Sequence, residues 1–157
     1  MLSKKTRYAL LALVSLAEEY GKGPVAIADI ARKEHIPVRF LEGILLELRK
    51  NGMLASRLGK SGGYYLLKAP GEITLAEIIS HFEGSLGMLA CVCERSYQPC
   101  EFQKNEAQCK LRSVFSEVYR ETVKTLGSTT LCDLIGERPD RNVPPGSKIV
   151  PESGSSR

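Results

Sequence analysis

VRFLEGILLELRKNGMLASRLGKSGGYYLL, residues 38–67, changes period half-way along. Its first part puts Leu41, Ile44, Leu45 and Leu48 on one side of a helix from about Val38 to Asn51, because residues three and four apart share a face. Gly52 supplies a C-terminal stop. The opposite side shows Arg39, Glu42, Gly43, Arg49 and Lys50. Beyond the stop, Met53–Leu58 and Tyr64–Leu67 read as two short strands. The tip between them is Gly59-Lys60-Ser61-Gly62-Gly63.

Upstream, a helix from about Val25 to Glu34 turns Ile27, Ile30 and Ala31 inward, and His35-Ile36-Pro37 is the turn into the next helix. Helix, tight turn and helix at this spacing form a helix-turn-helix, whose second helix can enter a major groove. Such pairs also occur in proteins that never touch DNA, so the hairpin that follows matters: it is a wing. A phosphate loop is excluded, because Lys60-Ser61 precedes its glycines and a strand follows, the reverse of the order a nucleotide site needs. Further upstream, Lys5 to Tyr20 is a helix with a wide apolar face, and Gly21-Lys22-Gly23-Pro24 ends it.

Downstream, Thr74-Leu75-Ala76-Glu77 is a capping box opening a helix to about Glu83, with Leu75, Ile78, Ile79 and Phe82 inward. A polar loop runs from Gly84 to about Asn105. A longer helix is expected from near Glu106 to Leu126, stopped by Gly127. Leu111, Phe115, Val118, Thr122 and Leu126 form a near-heptad seam, which suits packing on a second copy of the chain. Thr129-Thr130-Leu131 starts a short closing turn. The expected fold is therefore mainly α (α+β), a winged helix-turn-helix domain with a long C-terminal dimerisation helix. Its parts are the DNA-binding domain 1–83, the cysteine-rich loop 84–105, the dimerisation helix and closing turn 106–136, and a Pro/Gly/Ser-rich disordered tail 137–157.

Charge divides the chain the same way. Residues 1–70 carry 12 Lys and Arg against 6 Asp and Glu, a net of +6, and the remainder is net −2. A basic half is what phosphates attract, although a solvated basic face would look alike. No apolar run is long enough for a membrane span. Glu18-Glu19-Tyr20 stand where a signal peptide would need small residues, so a cytoplasmic protein is expected.

Four of the five cysteines, Cys91, Cys93, Cys100 and Cys109, fall in or beside the loop. In a reducing compartment such a cluster favours metal or redox chemistry over structural disulfides. Thiolate sulfur suits iron–sulfur clusters, zinc and Cu(I). Zinc usually takes Cys-x(2–4)-Cys pairs, which this loop lacks, so zinc ranks behind a cluster, and a thiol redox switch stays open. Cys132, between Leu131 and Asp133 near Leu134, reads as a small buried hydrophobe. An enzyme is not expected: there is no Cys-x-x-Cys, no histidine among the cysteines and no paired carboxylates in a glycine-framed pocket.

In their joint order these parts resemble the Rrf-two family of winged-helix transcription regulators. The similarity covers about residues 1–135 and is carried by Thr6-Arg7-Tyr8-Ala9-Leu10, Ala28-Asp29-Ile30-Ala31, Phe40-Leu41-Glu42, Leu48-Arg49-Lys50-Asn51-Gly52, Gly59-Lys60-Ser61-Gly62-Gly63-Tyr64, Cys109-Lys110-Leu111-Arg112 and Thr129-Thr130-Leu131-Cys132-Asp133-Leu134. The resemblance implies a homodimer on double-stranded DNA with a palindromic operator. It also implies an iron–sulfur cluster on Cys93, Cys100 and Cys109, with 2Fe-2S expected ahead of 4Fe-4S. The gap between Cys100 and Cys109 is wider than the family's. Arg112 stands where one branch has a histidine ligand, and Arg7 where another has an aspartate. The fourth ligand is thus open, and Cys91 is its nearest candidate. Arg39, Glu42 and Gly43 are expected at base edges, with Arg49 and Lys50 on phosphates. Arg57 or Lys60 would enter a minor groove, on a wing completed by Ser61, Gly62, Gly63 and Tyr64. A regulator of the cysteine-metabolism type, controlled by thiols or a partner protein, without a cluster or with structural zinc, is the alternative.

Overall fold

The computed structural model describes residues 2–102 and 105–136; the tail expected over 137–157 lies outside them. Helix α1, Lys4–Glu18, is capped by Ser3, whose hydroxyl accepts from the Thr6 amide, satisfying one of the amides a helix start leaves orphaned. It buries Ala9, Ala12, Leu13, Leu16 and Ala17 along one face. Helix α2, Ile27–Glu34, ends on His35, which takes a left-handed conformation (φ 53°). The buried Ile36 and the N-cap Pro37 then start α3, Val38–Lys50. The inward stripe of α3 is Leu41, Ile44, Leu45 and Leu48, as its period requires. At its end the Met53 amide reaches the Leu48 carbonyl and the Gly52 amide the Arg49 carbonyl. This Schellman pair needs the left-handed φ of 75° that Gly52 supplies.

Strands β1, Leu54–Arg57, and β2, Gly63–Leu66, pair antiparallel with Leu54 opposite Leu66 and Arg57 opposite Gly63. The hairpin is pinned to the start of α2 by a two-way backbone bridge between Val25 and Tyr64 (2.8 and 2.9 Å). After a 3-10 turn at Pro70–Glu72 comes α4, Leu75–Glu83, capped by Thr74. Leu13, Ile30, Leu41, Leu45, Leu54, Ile73 and Ile78 meet in one core shared by the helices and the hairpin.

The long helix α5 spans Lys110–Ser128, starting later than its sequence pattern suggests. Glu106–Gln108 is instead a separate 3-10 turn, and Cys109 caps α5 with its sulfur facing the Arg112 amide (3.5 Å). The reason lies in Glu106, whose carboxylate turns back to the loop. Gly127 does not stop the helix; Thr129 does, where its extended backbone gives its carbonyl to the Leu75 amide (2.9 Å). The final turn α6, Leu131–Leu134, sends Leu131 into the core. Cys132 beside it is only half-buried.

The expected seam on α5 divides between two faces. Phe115 turns toward its own domain and packs with Tyr119 on the cysteine loop. Leu111, Val114 and Val118 stay 66%, 60% and 40% exposed. A single helix beside a small domain can bury only one side, and Phe115 lies nearer that side.

Candidate nucleic-acid interface and cysteine loop

On α3 the outward residues Arg39, Glu42, Gly43, Arg49 and Lys50 are all exposed, in agreement with the amphipathic pattern. Arg49 donates to the Ser56 hydroxyl on β1 (3.0 Å), a direct link between the end of this helix and the wing. Phe40, absent from the expected site, is 59% exposed on the same outer side. Its signal is an aromatic residue outside the apolar stripe of an amphipathic helix.

At the wing, Arg57, Leu58, Lys60 and Ser61 are exposed, and Gly62, Gly63 and Tyr64 are half-buried. The Gly62 amide donates to the Gly59 carbonyl (3.0 Å), closing the tip. A Cβ on Gly63 would lie 2.1 Å from the Val25 carbonyl oxygen. Gly63 and Tyr64 therefore seat the wing on the domain, while Arg57, Lys60 and Ser61 present it outward.

Behind this surface, Glu47 links three helices. It accepts from the Lys5 ammonium (2.5 Å) and lies 3.2 Å from His81 Nε2. The hydrogen bond from Lys5 holds its carboxyl below the usual carboxylate range.

The cysteine loop follows α4. Cys91 and Cys93 lie in and just after a 3-10 turn at Ala90–Val92, and both are buried; Cys100 packs against them with Leu89, Phe115 and Tyr119. The Cys93 sulfur lies 2.9 Å from the Ser85 hydroxyl and 3.2 Å from the Leu89 carbonyl oxygen. Arg112 donates from Nε to the Cys91 carbonyl (3.2 Å), so the start of α5 grips the turn that carries Cys91 and leads into Cys93.

Three thiols thus share one packed patch, and the fourth opens the helix that covers it. The donor set fits a sulfur-ligated group in kind. Among the described residues no three His, Cys, Asp or Glu side chains stand grouped as a metal ion requires. Cys93 and Cys109 face protein partners instead.

Glu106 holds the outer half of the loop. Its carboxylate accepts from the Cys100 amide (2.9 Å) and the Tyr97 hydroxyl (3.0 Å), and lies 3.3 Å from Arg112 Nε. The Cys100 amide first, then Tyr97 and Arg112, keep its carboxyl below the ordinary range, while the bond to Glu106 raises the Tyr97 phenol. A depressed carboxyl contributes order that is complete above its unfolded value and is lost as pH falls through the folded one. Glu106→Gln is therefore expected to speed hydrogen exchange at the Cys100 amide several-fold at neutral pH, with little change in overall melting. The wild type should lose the same protection, taken relative to the intrinsic exchange rate, only in acid. Equal exchange in both proteins at neutral pH would contradict this role.

A helix-turn-helix whose second helix leads into a wing, with a cysteine loop behind it, defines the class: a winged helix-turn-helix protein. The model of the Rrf2 family, described as iron-dependent transcriptional regulators, matches residues 2–137. An Rrf2-like protein of Rhodobacter capsulatus is 41% identical over 138 residues, 86% of this chain and 92% of that one. The HTH-type transcriptional regulator IscR of Xenorhabdus nematophila is 31% identical over 134 residues, 85% of this chain and 78% of the other. Among solved structures, CymR (YrzC), the global cysteine regulator of B. subtilis, superposes with a TM-score of 0.73 at 28% identity, covering 88% of this chain and 98% of its own. The chain belongs to the Rrf2 family of transcriptional regulators. It is a DNA-binding regulator and not an enzyme, and among the described residues no helix is long and apolar enough to cross a membrane.

Proposed function

We propose that this regulator works as a cytoplasmic homodimer on a palindromic operator in double-stranded DNA, and that its cysteine loop carries an iron–sulfur cluster governing operator affinity. Cys93, Cys100 and Cys109 would hold the cluster, with Cys91 the candidate fourth ligand and 2Fe-2S the expected type. The carrying observation is the patch itself, where three thiols lie against the face of α5 that Cys109 begins. Bound there, such a group supplies sensitivity to iron supply, oxidation and nitric oxide. The chain's own contribution is mechanical. Arg112 and Glu106 connect the loop to α5, so a change of order in the loop reaches the helix that faces a partner.

The dimer reading rests on the exposed Leu111, Val114 and Val118, beside a groove of about 540 Å³ that includes Val118, Thr122 and Leu126. Pairing along α5 would set two α3 helices about 34–36 Å apart, one turn of DNA. In each half, Arg39, Glu42 and Gly43 would face bases, Arg49 and Lys50 phosphates, and Arg57 or Lys60 a minor groove. Residues 1–83 form the DNA-binding domain of this scheme, 84–105 its sensor loop and 106–136 its dimerisation element.

Protein purified without oxygen is expected to be brown and to bind iron. Alanine at Cys93, Cys100 or Cys109 should remove both properties and change operator affinity, read by fluorescence anisotropy. Colourless, iron-free protein from anaerobic cells would end the cluster reading. A thiol-controlled regulator is the second reading, favoured by the Cys93 sulfur already sitting on Ser85 and Leu89 and by the likeness to CymR. In that case colourless protein should change its DNA affinity on thiol oxidation alone.

A further inference from the structure

Phe40 and Gly43 stand one turn apart on the outward side of α3, and no contact among the described residues explains the exposed ring or the missing side chain. The Phe40 ring meets Tyr8 edge-on (centroids 6.4 Å apart, planes at 74°), which steadies it without covering it. Gly43 has no left-handed backbone to serve, and a Cβ built there would meet nothing within 4 Å. Glycine is the costliest residue after proline in a helix interior. Its use at a position with room for a side chain points to something outside the chain that needs the space.

Between the two residues runs a furrow of about 390 Å³, lined by Lys5, Arg39, Phe40, Gly43, Ile44 and Glu47. Its floor is the apolar Ile44. Glu47 is occupied by Lys5 and His81, whereas Arg39 has no ion pair among the described residues and leaves a cation at the rim. The furrow is thus an apolar slot with a positive edge, on the helix that reads DNA. In the major groove the base edges present donors and acceptors, and the C5-methyl of thymine is the apolar group that projects from them.

We propose that the Phe40–Gly43 furrow receives the C5-methyl of a thymine in each half-site, with Phe40 and Gly43 as specificity-determining residues. The inference rests on the reading of α3 as the base-contacting helix. Phe40 supplies the apolar wall, Gly43 the clearance, and Arg39 holds the adjoining backbone or base edge. A 5-methylcytosine carries the same methyl group on a different base, so the two sources must be separated by experiment.

The test takes the full-length protein and the duplex it selects from a random-sequence pool. Each thymine is replaced in turn by uracil, which deletes only the methyl. At one position per half-site, affinity is expected to fall about fourfold, the worth of one buried methyl. Phe40→Ser should bind the thymine and uracil duplexes alike. Gly43→Val should weaken the thymine site while melting like the wild type, because its side chain points into open space. With cytosine at that position, methylation that restores binding would assign the slot to the methyl on either base; no restoration would assign it to thymine. If the wild type binds its selected duplex and no uracil replacement weakens it, the furrow proposal is overturned while the DNA-reading helix stands. If no duplex is selected in any form of the protein, the reading of α3 itself has failed. The uracil series uses unaltered protein, so a misfolded variant cannot obscure the result.

Discussion

Leu131→Ala is expected to lower the unfolding free energy by about 2–5 kcal/mol, the range for emptying a fully packed leucine site. Leu131 is the one residue of α6 that reaches the core, and it is fully buried beside Ile73, Ile78 and Leu13. Its amide donates to the Ile73 carbonyl (3.1 Å), and the preceding Thr129 carbonyl takes the Leu75 amide (2.9 Å). The Asp133 carboxylate accepts from the amide and hydroxyl of Thr130 (2.8 and 2.9 Å), which sets the turn that aims Leu131 inward. The far end of α5 is therefore fastened to the winged domain by a plug and two backbone bonds. Removing the plug should unfold the domain at lower urea and loosen α5 against α4. Leu134, 45% exposed on the same turn, is the control and should change stability little. A loss below about 1 kcal/mol at Leu131 would mean that α5 is held by other means.

The contrast between Leu131 and the α3 stripe marks how far the sequence can be read. Leu41, Ile44, Leu45 and Leu48 are legible because their burial is a local matter of period, and the structure buries all four. The helix-turn-helix, the hairpin and the capped α4 are legible for the same reason. Leu131 carries no such signal, since four residues hold no period and its partners are far away in the chain. Glu106 looks like the first turn of a helix because helix propensity sees only neighbours, whereas its place is decided by the Cys100 amide and Arg112. The polar loop conceals the burial of Cys91 and Cys93 for a similar reason, as the apolar cover comes from Phe115 and Tyr119 on α5. That the cysteines are the residues to watch is visible in their spacing; that they are packed away is not. Phe40 is a different case, because an aromatic outside the inward stripe is a local signal, present in the sequence and simply outweighed by the charged residues around it.

Gly63→Ala is expected to unseat the wing from the domain. The added methyl would fall 2.1 Å from the Val25 oxygen, 2.4 Å from its carbonyl carbon and 2.8 Å from the Ala26 nitrogen. All three are backbone atoms, so no side-chain rotation can relieve them. Either the hairpin swings away from the start of α2 or that segment shifts. Both outcomes break the paired bonds between Val25 and Tyr64, worth about 0.5–1.5 kcal/mol each, and add an overpacking cost of about 1–3 kcal/mol. The loss should appear as a lower melting temperature together with weaker operator binding, because Arg57 and Lys60 ride on the displaced hairpin. Gly43→Ala supplies the opposite case: its Cβ meets nothing, alanine is the better helix former, and melting should hold or rise. Should Gly63→Ala melt and bind like the wild type, the wing does not rest on Val25, and the fixed spacing between wing and α3 on which the proposed DNA contact of Lys60 depends would have to be abandoned.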